Sequence, residues 1–490
     1  MSEIERKELT SGFDVQTAGL RGRWLVEASA GTGKTFALER IVLRLVIEEA
    51  VAIDKILVVT FTNAATAELR ERVRALFYKA ASTLKNGDER SEFEAFFERS
   101  RSRKHDPAVL IESALEHFDE ASILTIHGFC QKMLSEFIFT RAGAYDVEFV
   151  SDTGFEDEVT QAFLRRELPA LTPEQRAVVL EWKSLPKLLS KLGEHGSSVK
   201  PKAWIDSDDL CDPTLKALFE RFLEEGPRRV RELERQHGVK SFSALLTEMY
   251  SLVKSGDSAL ERIRNRYDAV LIDEFQDTDR VQYRIFKTLF LADVPEAPKS
   301  VFFVGDPKQA IYAFRGAELD VYLQARNDIE QMGSQSDTAG LRTLVTNYRS
   351  TPALVTAVNA FFSAEGSSGS FLTANIRYSD LKTGASAKPL VRIRGGKPEF
   401  VPVMSLWVDD ETLEGSKIEA VRKVEAKYMA DDIASLLDGT VYIYRHGQWR
   451  ALRPGDIAIL VKKRTASQHV QRELLARGVR TLLDDQTNVF

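Results

Sequence analysis

Residues 28–36 have the sequence ASAGTGKTF, and this stretch decides the fold that the chain is expected to adopt. Residues 23–27 (RWLVE) are typical of a short strand, and residues 36–47 carry apolar side chains at helical spacing. A strand, a glycine-containing loop and a helix in this order are the context of a phosphate-binding loop. The alternative is a glycine-rich turn with a chance Gly-Lys-Thr, which the flanking strand and helix disfavour.

The residue types of this loop suit the binding of a triphosphate. Glycines let backbone N–H groups approach the phosphates, and the helix N-terminus adds positive potential. Lys34 would reach the β- and γ-phosphates, and the hydroxyl of Thr35 would be a ligand to Mg²⁺. The usual pattern begins with glycine, where this chain has a small alanine. The predicted nucleotide-binding residues are Ala28, Ser29, Ala30, Gly31, Thr32, Gly33, Lys34 and Thr35.

A second apolar run, residues 267–272 (YDAVLI), is typical of a buried parallel strand and is followed by Asp273 and Glu274. Ligands of open α/β sheets gather at the carboxyl ends of strands. Asp273 is therefore predicted to hold Mg²⁺ and Glu274 to activate the attacking water. The alternative is an acidic helix start, because Asp and Glu favour first turns of helices.

A third predicted strand, residues 300–305, leads into residues 306–316 (DPKQAIYAFRG). The neutral amide of Gln309 is suited to sensing a γ-phosphate. Aromatic rings interleaved with a cation suit stacking on unpaired bases of any sequence, and this segment offers Tyr312, Phe314 and Arg315. A helix whose aromatic rings face the core stays an alternative for both rings.

Length and composition limit the classes of protein to consider. A chain of 490 residues is expected to form about two to four domains. No apolar run approaches the roughly 18 residues that span a bilayer, and the charged N-terminus lacks the apolar segment of a secretory signal, so no membrane partner is expected. The two cysteines, Cys130 and Cys211, suggest neither a metal site nor a disulfide framework, which favours a cytoplasmic location. The net charge of −6 still allows a local basic groove.

Taken together, the motifs resemble superfamily-one DNA helicases of the UvrD/Rep type. The resemblance covers nearly the whole chain and is weaker from about residue 151 to residue 256. Residues 27–31 and 125–130 favour the RecB branch of this family, the beta subunits of exodeoxyribonuclease V. The resembling segments are VEASAGTGKTF, ILVVTFTNAATAELRERV, SILTIHGFCQKML, VLIDEFQDTD, VFFVGDPKQAIYAFRGA, TNYRS and LRPGDIAILVKKR.

The resemblance implies an α/β fold of P-loop NTPase type, with RecA-like parallel-sheet motor domains and an inserted helical accessory domain. It implies that Glu274, Gln309 and Arg349 act in catalysis, with Arg349 as an arginine finger on the γ-phosphate, and that Tyr348 stacks on adenine. It also implies contacts with single-stranded DNA, in addition to Tyr312, from Phe61, Thr62, Asn63, His127, Phe314 and Arg315.

The same template predicts how the chain divides. The first RecA-like motor domain would comprise residues 1–85, 119–145 and 257–340; the helical insertion 86–118; the helical accessory domain 146–256; and an incomplete second RecA-like motor domain 341–490. In the second motor domain, apolar strands are expected at residues 405–408 and 456–461. A basic cluster could contact duplex phosphate, although such a run is more often a solvated face: Arg99, Arg101, Arg103 and Lys104.

The implied function is an ATP- and Mg²⁺-dependent DNA helicase or translocase that moves 3′ to 5′. It would act in a RecBCD-type exodeoxyribonuclease V, in double-strand-break repair and recombination, with RecC-like and RecD-like subunits. Its DNA partners would be single strands and duplex ends. Because later helicase motifs and a nuclease domain do not follow, we expect an N-terminal fragment that binds Mg-ATP, hydrolyses it weakly and does not unwind duplex.

Two other functions stay open at this point. An ATP-responsive clamp or regulatory subunit that binds single-stranded DNA without motor activity would share every motif. A nucleotide kinase would share the phosphate loop, but would leave Phe61, His127 and residues 309–315 without a use.

Overall fold

The structure, a computed structural model, describes residues 13–87, 92–138, 148–150, 154–195, 209–256, 258–311, 319–334, 337–362, 376, 378–384, 387–402, 418–445, 447–461 and 464–483. These residues divide into two compact units. One unit lies within Met1–Ala28 and Lys34–Leu344, and the other within Ser29–Gly33 and Val345–Phe490.

The strands of the first unit are β1 (Gly22–Ala28), β2 (Ile56–Thr60), β3 (Ser122–Thr125), β4 (Glu148–Val150), β5 (Val239–Ser241), β6 (Ala269–Ile272), β7 (Ser300–Gly305) and β8 (Ala339–Leu344). Its helices are α1 (Lys34–Glu49), α2 (Asn63–Asn86), α3 (Glu94–Ser102), α4 (Pro107–Glu116), α5 (Ile126–Ile138), α6 (Phe155–Glu167), α7 (Pro173–Leu180), α8 (Leu185–His195), α9 (Pro213–His237), α10 (Phe242–Lys254), α11 (Ser258–Arg264), α12 (Arg280–Phe290) and α13 (Leu319–Gly333).

Six of these strands form one sheet in the order β3-β2-β6-β7-β1-β8, and each described pair is parallel. Their side chains alternate between two hydrophobic cores, one on each face. Trp24, Val26 and Phe302 belong to one core, and Leu25 and Phe303 to the other. Burial on both faces explains why these strands are nearly continuous apolar runs. The predicted α/β class with a parallel sheet is therefore confirmed in this unit.

Helices cover both faces of this sheet. The first core includes side chains from α1, α2, α3 and α4, and the second includes side chains from α5, α10, α11, α12 and α13. The predicted helical insertion at 86–118 therefore packs into the core of the sheet through its helices α3 and α4. Whether it counts as a separate domain stays a prediction.

Helices α6 to α9 share a core of their own, which includes Phe163, Val179, Leu188 and Phe219. Trp182 packs edge-on against Phe219, with ring centroids 5.9 Å apart. These helices therefore share a hydrophobic core apart from the two cores of the sheet, and the helical accessory domain at residues 146–256 stays a prediction.

The basic cluster at residues 99–104 is engaged within the protein. Arg99 Nη2 lies 2.8 Å from Glu48 Oε1, Arg101 pairs with Glu94, and Arg103 pairs with Glu49. Three of its four cations are thus paired with carboxylates of α1 and α3. The structure favours the alternative of an internally paired face over a contact with duplex phosphate.

The second unit contains β9 (Thr346–Asn347), β10 (Lys382–Thr383), β11 (Val391–Arg394), β12 (Lys397–Phe400), β13 (Val441–Arg445) and β14 (Gln448–Ala451), with α14 (Pro352–Phe362), α15 (Ile418–Leu436) and α16 (Arg464–Ala476). Four strands form an antiparallel sheet in the order β12-β11-β13-β14. Helices α15 and α16 pack around Ala430, Ile433 and Leu474. The assignment of residues 341–490 to a second RecA-like domain stays a prediction.

The predicted strand at residues 456–461 is wrong. A 3-10 turn at Pro454–Asp456 begins this segment, and residues 457–461 have no regular structure. The Asp456 carboxylate binds the Arg450 guanidinium at 2.6 Å and accepts the backbone N–H of Arg453 at 2.9 Å, which stabilises the turn, and residues 457–461 pair with no described strand. The predicted strand at residues 405–408 lies outside the described residues.

Among the residues that the structure describes, no helix is both long enough and apolar enough to cross a membrane.

Candidate functional site

The predicted site residues of the first unit follow strands that end at one edge of the parallel sheet. The register pairs Glu27 with Gly305, Ile272 with Phe303 and Thr60 with Thr125. Because neighbouring parallel strands end together, the segments after β1, β2, β3, β6 and β7 all leave the sheet at this edge. The edge therefore gathers the start of the loop, the acidic pair, and the segments of Gln309, Phe61 and His127.

The loop after β1 turns at two glycines with positive φ. Gly31 and Gly33 adopt φ of +79° and +83°, a region that glycine enters without strain. Thr32 is buried, and both its backbone N–H and its hydroxyl donate to the carbonyl of Ser29, at 3.1 and 2.7 Å. Helix α1 begins directly after this turn, at Lys34.

Lys34 contacts two carboxylates, that of Asp273, which is predicted to hold Mg²⁺, and that of Glu274, which is predicted to activate water. Its Nζ forms a close ion pair with Glu274 and lies 3.6 Å from Asp273 Oδ1. The structure therefore brings together an ammonium and two carboxylates that are far apart in sequence, as the motifs predict. Their roles in catalysis stay predictions.

Burial of Asp273 changes its protonation. Desolvation raises the pKa of Asp273 to about 6, although the nearby Lys34 ammonium acts in the opposite direction. The carboxylate also accepts the backbone N–H of Glu274 at 2.8 Å. Near neutral pH Asp273 is mainly ionised. A further positive charge beside the carboxylate would stabilise this ionised form.

Glu274 has an unusual backbone. Its φ of 49° and ψ of 41° lie in the left-handed region, which costs a non-glycine residue about 1–2 kcal/mol. Backbone strain of this kind clusters at functional sites. The geometry turns the chain sharply after β6 and lets the Glu274 side chain reach Lys34 and the amide of Gln276, whose Nε2 donates at 2.7 Å.

Gln309 lies in a short turn after β7 that is organised by a buried carboxylate. Asp306 is 2% exposed, accepts Gln309 Nε2 at 2.8 Å and pairs with Lys308 Nζ at 2.8 Å. The Gln309 side chain is thus held by Asp306, which the sequence analysis did not single out.

A further carboxylate lies beside this site. Asp277 is 7% exposed, and its Oδ1 has no hydrogen-bond partner in the described part of the chain. Burial, followed by the negative charge of Glu274, raises the pKa of Asp277 to about 7. No role was predicted for Asp277; its sequence signal is an acidic residue in the turn that follows a buried strand.

The segment TNYRS contacts the phosphate loop, within the second unit. Asn347 Nδ2 donates to the carbonyl of Ala30 at 3.0 Å, and Tyr348 N donates to the carbonyl of Gly31 at 2.8 Å. Asn347 Oδ1 in turn accepts the backbone N–H groups of Arg349 and Ser350 at 2.9 and 2.8 Å.

These contacts leave the two predicted side chains of the segment at the surface. Tyr348 is 63% exposed, and Arg349 is also exposed. Asn347 was missed by the sequence analysis, because a buried amide that binds backbone groups leaves no periodic pattern. The loop and the segment that carries Tyr348 and Arg349 are thus held together by one side chain and one backbone hydrogen bond.

The predicted DNA-contact residues after β2 lie at the start of α2. Thr62 caps this helix, with its hydroxyl accepting Ala65 N at 3.1 Å, and Asn63 is exposed. Phe61 is partly buried. Thr62 therefore has a structural use that is independent of any ligand.

His127 follows β3, and its ring packs on Phe242 with centroids 4.8 Å apart. Burial lowers the pKa of His127 to about 4, so the ring is neutral near pH 7. A contact from His127 would be a stack or a hydrogen bond rather than a charge pair. Tyr312, Phe314 and Arg315 lie outside the described residues.

The fold and this arrangement define a class of protein, and comparison with known families agrees. Residues 13–330 match the model described as the UvrD/REP helicase N-terminal domain. The chain therefore belongs to the UvrD/REP helicase family, and membership of this helicase family implies nucleotide binding. The resemblance predicted from the motifs is confirmed.

Curated relatives carry a more particular name. The RecBCD enzyme subunit RecB of Escherichia coli (strain K12) is 26% identical over 96% of this chain and 49% of its own length. The protein of that name from Mycobacterium tuberculosis (strain CDC 1551 / Oshkosh) is 30% identical over 95% of this chain and 40% of its own. The one from Chlamydia trachomatis serovar D is 29% identical over 72% and 44%. The chain spans less than half the length of these curated relatives.

Proposed function

We propose that this chain carries the ATP-dependent motor of a DNA helicase or translocase that moves 3′ to 5′ on single strands. The observation that supports this most is the meeting of Lys34 with Asp273 and Glu274 at the carboxyl edge of the sheet. In the complete protein, the motor would serve a RecBCD-type exodeoxyribonuclease V in double-strand-break repair and recombination.

The residues of this edge fit a magnesium nucleotide. The loop from Ala28 to Gly33 would hold the phosphates through backbone N–H groups, and Lys34 would pair with the β- and γ-phosphates. The Thr35 hydroxyl and the Asp273 carboxylate are oxygen donors of the kind that Mg²⁺ prefers. When bound, Mg²⁺ would neutralise charge on the β- and γ-phosphates.

The remaining catalytic roles follow from the chemistry of each side chain. Glu274, which contacts the Lys34 ammonium, would accept a proton from the attacking water. The Gln309 amide would sense the γ-phosphate, and the Arg349 guanidinium would stabilise charge that develops on it. The exposed ring of Tyr348 would stack on adenine.

Single-stranded DNA would bind along the same edge of the sheet. Phe61, Thr62, Asn63 and His127 follow β2 and β3, the two strands farthest from β1 and β8 in the sheet order. Stacking and backbone contacts of this kind bind DNA of any sequence. Tyr312, Phe314 and Arg315 are proposed to continue this track.

The names of the relatives support a proposal about partners. They are subunits of a RecBCD enzyme by name, so we expect this chain to assemble with RecC-like and RecD-like subunits and to engage duplex DNA ends.

The test of the proposed chemistry is single-turnover ATP hydrolysis with Mg²⁺ and single-stranded DNA, which measures even slow turnover. Glu274→Gln should keep its affinity for Mg-ATP and lose about 10²- to 10⁴-fold in hydrolysis rate, because the general base is gone. The exposed Glu112 of α4 provides the matched control, Glu112→Gln, which should hydrolyse at the wild-type rate. Equal rates in the wild-type chain and Glu274→Gln would overturn the assignment.

A displacement assay on the complete protein distinguishes the proposed motor from a clamp without motor activity. A motor that travels along a single strand pushes off a bound roadblock in an ATP-dependent way. A clamp binds the same strand and leaves the roadblock in place.

A further inference from the structure

One buried side chain connects the ends of β6 and β7. Gln276 is 2% exposed and lies in a 3-10 turn, Phe275–Asp277, that follows the acidic pair. Its Nε2 donates to Glu274 Oε2 at 2.7 Å, and its Oε1 accepts the backbone N–H of Asp306 at 3.0 Å. A single amide thus joins the predicted general base to the turn of the neighbouring strand.

The connection continues to Gln309. The Asp306 carboxylate accepts Gln309 Nε2 at 2.8 Å, so the position of Asp306 sets the position of the Gln309 amide. Gly305 leaves room for this path, because a Cβ there would lie 2.6 Å from Gln276 Oε1. The path therefore runs from Glu274 through Gln276 and Asp306 to Gln309, over side chains and one backbone N–H.

The other end of the path lies at the proposed phosphate site. The Glu274 carboxylate has two partners among the described residues, the Lys34 ammonium and the Gln276 amide. A phosphate bound by Lys34 competes with Glu274 for the same ammonium, because one cation then serves two anions. Gln276 becomes the main remaining partner of Glu274, and any shift of Glu274 moves this amide.

We propose that Gln276 is a positioning residue that transmits occupation of the phosphate site from Glu274 to the turn that holds Gln309. This inference rests on the proposed nucleotide-binding function. The competing interpretation is that Gln276 only satisfies the buried N–H of Asp306, as buried backbone groups require. Under that interpretation, nucleotide would not alter the turn through Gln276.

Hydrogen exchange of the peptide that covers residues 303–311 distinguishes the two interpretations of Gln276. The measurement does not require ATP hydrolysis. In the wild-type chain, Mg-ATPγS should change the exchange rate of this turn about fivefold or more, the scale of one hydrogen bond. Gln276→Met, which keeps the length of the side chain, should bind the nucleotide and lose this nucleotide-dependent change.

Two further variants make the experiment specific. Gln276→Glu keeps an acceptor for Asp306 N and loses the donor to Glu274, so exchange without nucleotide should stay slow while the response to nucleotide disappears. Gln282 is a buried glutamine of the α12 cap, where its Oε1 accepts Asp279 N at 3.3 Å. Gln282→Met should keep the full response.

The proposal is overturned if Gln276→Met and Gln276→Glu bind nucleotide and respond like the wild-type chain. It is also overturned if the wild-type chain binds nucleotide with no change at residues 303–311. A wild-type chain that binds no nucleotide at all contradicts the proposed function itself, which is a different and recognisable failure.

Discussion

The chemistry of single residues at the sheet edge is governed by competition for one cation. Lys34 is 15% exposed and lies beside two carboxylates, so its ammonium is already partly neutralised by the protein. In the proposed function, a triphosphate would compete with Glu274 for this ammonium, and Asp273 would be one of the oxygen donors that hold Mg²⁺. The site is therefore suited to exchange partners rather than to hold one fixed salt bridge.

Gly31 leaves no room for a side chain in the loop. A Cβ there would lie 2.7 Å from Asn347 Nδ2 and 3.0 Å from Arg349 Cβ, and φ is +79°. We expect Gly31→Ala to distort the loop and weaken Mg-ATP binding by about tenfold or more, measured by titration with a fluorescent nucleotide. Gly19→Ala is the control, because a Cβ at Gly19 meets nothing within 4 Å. Wild-type affinity in Gly31→Ala would show that the loop is not held in this form.

Asp277 gives a prediction about stability and pH. Its folded pKa of about 7 lies above the ordinary value of 3.8, so the folded chain binds more protons than the unfolded chain between these values. The contribution of Asp277 to stability is therefore lost as pH rises toward 7. Asp277→Asn should raise the free energy of unfolding by about 1–3 kcal/mol at pH 8 and by much less at pH 5, measured with urea.

The control for Asp277→Asn is Asp119→Asn, whose side chain is 91% exposed. This variant should show no comparable dependence on pH. A loss of stability in Asp277→Asn at pH 8 would contradict this prediction and would mean that the carboxylate is stabilised by more than its 3.4 Å contact with Gln276 Nε2.

At the scale of elements, the sequence predicts best where pattern and chemistry coincide. Strand β1, the phosphate loop and α1 are found where glycine spacing and apolar periodicity indicate, and β6 and β7 lie where buried apolar runs end in polar residues. The order of these strands in the sheet could not be predicted from the sequence. The contacts that place β7 between β6 and β1 join residues that are distant in sequence. The strand predicted at 456–461 failed because Asp456 lies in a turn and residues 457–461 pair with no described strand, which apolar character alone does not reveal.

Prediction of the candidate site from the sequence is limited in the same way, by contacts between residues that are distant in sequence. Lys34, Asp273 and Glu274 could be predicted because each follows a recognisable strand. Gln276 and Asn347 could not, since their partners are backbone groups and side chains brought close only by the folded sheet and loop. Single buried amides that satisfy distant groups leave no signal in periodicity.

Thr62 is a predicted DNA contact and also caps helix α2. Substitutions of Thr62 can separate these two roles. Thr62 caps α2 through its hydroxyl, so Thr62→Ala should cost about 1 kcal/mol of stability, whereas Thr62→Ser should keep the cap. Thermal unfolding measures the cost, and binding of a single-stranded oligonucleotide measures the contact. Equal stability of the Ala and Ser variants would contradict the capping role.

At the scale of the whole molecule, the chain combines a parallel-sheet unit with a second, smaller unit that includes residues 29–33 of the phosphate loop. The proposed motor requires that nucleotide at the loop and DNA at the ends of β2 and β3 influence each other. By linkage, any effect of nucleotide on DNA affinity must be matched by an equal effect of DNA on nucleotide affinity.

The most direct test of the proposed motor is the affinity of the chain for a labelled single-stranded oligonucleotide, measured at fixed salt with and without Mg-ATPγS. We predict that the nucleotide changes the DNA dissociation constant by about fivefold or more, within the usual range of coupling between sites, and that Lys34→Ala abolishes the change while retaining DNA binding. A dissociation constant that is the same with and without bound nucleotide, or no binding of the oligonucleotide at all, would contradict it.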